Sequence, residues 1–82
     1  MDDKEFQQMK LAFKFMEQFA DVPAMGADDE YWKRESDALT KWMRASDDHP
    51  LCVKLGIALH EYLEGRSLKK AYEERMQRAQ TD

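Results

Sequence analysis

With 82 residues the chain is long enough for one domain and too short for two that each bury a core. Hydrophobic residues at 43%, charged residues at 37%, three Gly and two Pro exclude a disordered chain and predict an all-α protein, stable by roughly 4 to 12 kcal/mol. A net charge of -4 opposes long-range attraction to nucleic-acid phosphates or anionic membrane, so neither is expected as a partner.

No apolar run reaches the length of about 20 residues that crosses a bilayer. The acidic start at Asp2, Asp3 and Glu5 is opposite to the basic start of a signal peptide, so a cytoplasmic location is expected. Cys52 has no second cysteine to pair with and no multi-cysteine spacing around it for zinc.

The first predicted helix runs from about Asp3 to Ala20. Phe6, Met9, Phe13, Met16 and Ala20 recur at spacings of three and four and stack on one face. A second stripe of Leu11, Ala12, Phe15 and Phe19 lies beside it, leaving Gln7, Lys10, Lys14, Glu17 and Gln18 as the wet face. So wide an apolar arc either packs against several neighbours or is partly used outside the fold.

Pro23 bars continuation of this helix, Gly26 permits a turn, and Asp28 can cap the next. The second helix, about Asp29 to Ala45, presents Tyr31, Trp32, Ala38, Leu39, Trp42 and Met43. At the break Ser46 to Pro50, Asp47 or Asp48 can cap, and Pro50 suits a first-turn position. The third helix, about Pro50 to Glu64, gathers Leu51, Cys52, Leu55, Ala58, Leu59, Tyr62 and Leu63 and is expected to be the most buried. Gly65 as a left-handed terminator and Ser67 as an N-cap predict a fourth helix, about Ser67 to Ala79, with Leu68, Ala71, Tyr72, Met76 and Ala79 on one side. The expected architecture is a compact bundle of about four short helices in a single domain spanning 1-82.

The Gly turn and Ser cap between the third and fourth helices partly match a helix-turn-helix, although Glu61 and Glu64 occupy slots that tight packing would fill with small or apolar residues. DNA binding through Arg66, Ser67, Lys69 and Lys70 is therefore the alternative function, set against an ordinary helical hairpin with a solvated charged face.

His49 and His60 lie about 16 Å apart along one helix and cannot share a metal ion, so no metal is expected. Cys52 falls on the apolar arc and reads as a small hydrophobe despite its place in a first helical turn. No nucleophile, base and carboxylate occur in a catalytic order and no Gly-rich phosphate loop occurs, so neither an enzyme nor a cofactor is expected, and no small-molecule substrate is evident. Two charges interrupt apolar stripes: Glu35 among Tyr31, Leu39 and Trp42, and Arg75 among Leu68, Ala71, Tyr72 and Ala79. They are expected either to pair across the second and fourth helices or to snorkel to water.

The function expected is a non-enzymatic interaction or regulatory module. Its interface is expected at Phe6, Met9, Phe13, Met16, Tyr31 and Trp32, toward a protein partner or a second copy of the chain.

Overall fold

In the computed structural model, which describes residues 1–81, three helices pack together: α1 (Asp3–Phe19), α2 (Asp29–Ala45) and α3 (Pro50–Thr81). No strand occurs among the described residues. The all-α class is as expected. The helix count is three rather than about four, because the predicted third and fourth helices are one continuous α3 of 32 residues.

Local chemistry explains where each helix begins. At the start of α1, Asp2 Oδ1 accepts from the Glu5 N–H at 2.8 Å and Glu5 Oε1 accepts from the Asp2 N–H at 3.1 Å, a reciprocal cap. The Glu5 backbone bond holds the Asp2 carboxyl below its ordinary range. Asp28 caps α2, its Oδ1 accepting from the Tyr31 N–H at 3.1 Å. Neither Asp47 nor Asp48 caps α3. Both adopt a left-handed backbone (φ 51° each) in the turn that closes α2, where Asp48 N–H reaches Met43 O at 2.9 Å. The His49 side chain takes the capping role instead, Nδ1 accepting from Leu51 N–H at 3.1 Å, and Pro50 occupies the first helical position.

The expected break at Gly65 is absent. Gly65 lies inside α3 without a left-handed backbone, and Ser67 is a buried mid-helix residue rather than a cap. A glycine costs a helix about 1 kcal/mol relative to alanine, too little to stop one whose surroundings hold it. Here the segment after α1 does so. Ser67 Oγ donates to Pro23 O at 2.7 Å, Met25 N–H donates to Ser67 O at 3.1 Å, Arg66 Nη1 donates to Ala20 O at 3.0 Å and Lys70 Nζ donates to Val22 O at 3.0 Å. Gly26 closes this segment with φ +86°, a conformation glycine accepts without strain.

The core lies between the N-terminal half of α3 and the other two helices. Ala12, Phe15 and Phe19 meet Val22, Tyr31, Trp42, Cys52 and Leu63, the last two fully buried. Six rings follow one another through it: Trp42, Phe15, Phe19, Tyr31, Trp32 and His60, with successive centroids 4.8 to 6.1 Å apart. The Tyr31 hydroxyl donates to Phe19 O, and Trp42 Nε1 and Ser46 Oγ both donate to Gln8 Oε1, at 2.8 and 2.9 Å. These bonds tie the exit of α1 to the start of α2, and the first half of α1 to the end of α2.

The molecule measures 55 × 23 × 17 Å, with a radius of gyration of 15.4 Å. A compact chain of this length would give about 12 Å. The excess comes from α3, about 48 Å long against about 26 Å for α1 and α2, whose C-terminal part runs on past its neighbours.

Candidate functional site

The wide apolar arc of α1 is divided between core and surface. The Ala12, Phe15 and Phe19 stripe faces inward, and Leu11 packs against it. Of the stripe with the more regular spacing, Phe6 and Phe13 are 54% and 69% exposed, Met9 is half-buried, and Met16 is half-buried against the core. Seven residues separate Phe6 from Phe13, so they stand two turns and about 10.5 Å apart on one face. Lys10 extends over the Phe6 ring, its Nζ 4.7 Å from the centroid.

Tyr31 and Trp32 do not join that face. Tyr31 is buried, its phenol raised above its ordinary range by that burial. Trp32 is half-buried and lies edge-on to both Tyr31 and His60. The six expected interface residues thus separate into an outward group (Phe6, Met9, Phe13), an intermediate Met16, and an inward pair on α2.

Glu35 is fully buried, and its partner is His60 rather than Arg75. His60 Nδ1 lies 2.8 and 2.7 Å from the two Glu35 oxygens, and its Nε2 lies 3.3 Å from Glu64 Oε1. Burial raises the Glu35 carboxyl above its ordinary range, His60 opposing this by hydrogen bond and charge, and Glu64 adding to it. Glu64 and the half-exposed His60 ring connect solvent to a buried carboxyl, and the Glu35–His60 contact joins α2 to α3. Arg75 is exposed on the far part of α3, beyond reach of α2 because α3 does not fold back there.

The residues of the DNA-binding alternative are placed differently from its premise. No helix begins near Ser67; Ser67 is buried, and Arg66 and Lys70 turn toward the backbone carbonyls after α1. Lys69 is exposed. Together with Asp21, Tyr62 and Glu73 these basic residues edge an open cleft that carries both signs of charge.

Cys52 is fully buried, and burial pushes its thiol up, away from the reactive range. Among the described residues no group of three or more His, Cys, Asp or Glu side chains could hold a metal ion. No helix among them is long and apolar enough to cross a membrane. A shallow cleft of about 760 Å³ between the start of α1 and the α2 to α3 turn is lined by Asp3, Lys4, Gln8, Leu11, Ser46 and His49.

Leu68, Tyr72 and Met76, expected on the apolar side of a separate fourth helix, belong instead to an outward apolar stripe of the continuous α3. Ile57, Leu68, Tyr72 and Met76 are all exposed, Leu68 by 56% and Tyr72 by 62%. Counting through Gly65 without a break brings Ile57 onto the same face as Leu68 and Tyr72. That continuous numbering is the signal that could have found the stripe.

Comparison of the chain with protein-family models, with curated proteins and with solved structures finds no match in any of the three.

Proposed function

We propose that the chain is a non-enzymatic protein-interaction module, regulatory in kind, that docks through the outward face of α1. The observation that supports this reading is the pair Phe6 and Phe13, more than half exposed, two turns apart on a helix whose opposite face is anchored in the core. Two large rings on a rigid support present apolar area with little conformational entropy left to lose on binding. Met9 adds an adaptable contact beside them, and Lys10, Lys14 and Glu17 place charges of both signs around the rings, which favours a partner with an apolar groove and a mixed polar rim.

The experiment is affinity capture of the tagged protein from its source lysate, with and without nuclease, followed by rebinding of the purified partner. The Phe13→Asp variant should keep the circular-dichroism spectrum of the native chain and bind the partner at least about 10-fold more weakly. Equal affinity for Phe13→Asp and the native chain would remove α1 from the interface. Recovery that disappears with nuclease would direct attention to Lys69 and its neighbours.

A further inference from the structure

We propose that α3 is a self-association surface: a second copy of the chain lays its own α3 antiparallel along the outward face, with the two-fold axis at Leu68. This surface lies apart from Phe6 and Phe13, so the inference does not depend on the reading of α1.

At about 100° per residue, Ile57, Glu61, Leu68, Tyr72, Arg75 and Ala79 fall within an arc of about 60°. The fully buried Cys52 and Leu63 lie about 150 to 170° from the centre of this arc, and Ser67 about 110° from it. A second helix can therefore approach along the whole stripe without meeting α1 or α2.

What selects a second copy is the order of residues about Leu68. Glu61 lies seven residues before it and Arg75 seven after, each about 10.5 Å along the axis. Ile57 lies eleven before and Ala79 eleven after. An antiparallel copy centred on Leu68 sets Glu61 opposite the other copy's Arg75, twice by symmetry, and Ile57 opposite its Ala79. A parallel copy sets Glu61 against Glu61 and Arg75 against Arg75, which like-charge repulsion opposes. Neither Glu61 nor Arg75 has an ion-pair partner among the described residues.

Two further features agree. Gly65 weakens the middle of α3, needs no special backbone there, and has open space where a side chain would stand. Beside Leu68 on the outward side, that space admits a bulky side chain from a facing helix. Charge agrees as well: from Ile57 to Ala79 there are five basic and four acidic side chains, a net of +1, in a chain whose net is -4. Two acidic molecules repel each other least along this segment.

The test is sedimentation of the full chain over a concentration series, with circular dichroism to verify that each variant keeps its helices. The native chain should dimerise. Glu61→Arg and Arg75→Glu should each weaken the dimer about 10-fold or more, and the double reversal should restore it. Register is read independently by oxidative crosslinking, since Cys52 is buried and does not compete. Glu61→Cys mixed with Arg75→Cys should give a heterologous crosslink, while either variant alone should give little. A chain that stays monomeric throughout, a dimer indifferent to the charge reversals, or crosslinks within each single variant would overturn the proposal. Any of these would leave the Phe13→Asp test of α1 unaffected.

Discussion

Glu35 is the residue whose surroundings most constrain the protein's behaviour in solution. Its carboxyl is fully buried and its partner, the His60 ring, is half-exposed, so the two single removals are not equivalent. His60→Leu strands a carboxyl inside the core and should cost about 3 to 5 kcal/mol. Glu35→Leu leaves an imidazole that can turn to water and should cost about 2 kcal/mol. Replacing both should cost less than the sum, a coupling that urea unfolding of the four chains measures directly. Acidity gives a separate readout. Because burial raises the Glu35 carboxyl above its ordinary 4.5, the folded state holds that proton more tightly than the unfolded state. The stability tied to this proton is fully present below 4.5 and is lost as pH rises through the elevated folded value. Glu35→Gln stays neutral, so its stability relative to the native chain should rise as pH climbs from 4.5 through that range. The apolar neighbours of Glu35 made its misfit legible in the sequence. Its partner was not, because pairing with Arg75 required a fourth helix returning toward α2, and His60 reads alone as an ordinary surface histidine.

At the scale of the element, α3 turns on two glycines that look alike in sequence and differ in surroundings. A Cβ added at Gly65 meets nothing within 4 Å, whereas one at Gly56 comes within 2.8 Å of Met43 Cε and 3.4 Å of Leu39 Cδ2. Gly65→Ala should therefore stabilise the dilute chain by about 1 kcal/mol, the full helix-propensity gain. Gly56→Ala should fall short of that by about 1 kcal/mol, because the Met43 methyl has to move. Thermal unfolding of the two variants side by side decides this. The first two helices were legible nearly to the residue, since Pro23, Gly26 and Asp28 act within a few positions of the ends they set. The supposed end at Gly65 was not, because the groups that hold α3 straight there, the carbonyls of Ala20, Val22 and Pro23, lie more than forty residues away in the chain.

Viewed whole, the molecule is a short three-helix core from which one helix extends. The stretch of α3 from Tyr72 to Gln80 is exposed throughout, in contrast to the region around Leu63 and Ser67. In dilute solution, backbone amides from Glu73 to Gln80 should exchange with deuterium at least about 100-fold faster than those from Leu59 to Ser67. Protection of the extension that grows with protein concentration would be the mark of a second copy lying along it. Helical class, an apolar arc on α1 too wide for one neighbour, and the misfit of Glu35 were determined by sequence alone, because periodicity and short-range capping are properties of adjacent residues. Only the tertiary structure decided that the less regular stripe of α1 faces the core, that Glu35 meets His60, and that α3 runs through Gly65. Each of these depends on which distant groups arrive to satisfy a buried polar atom or fill a face, and local spacing carries no record of that.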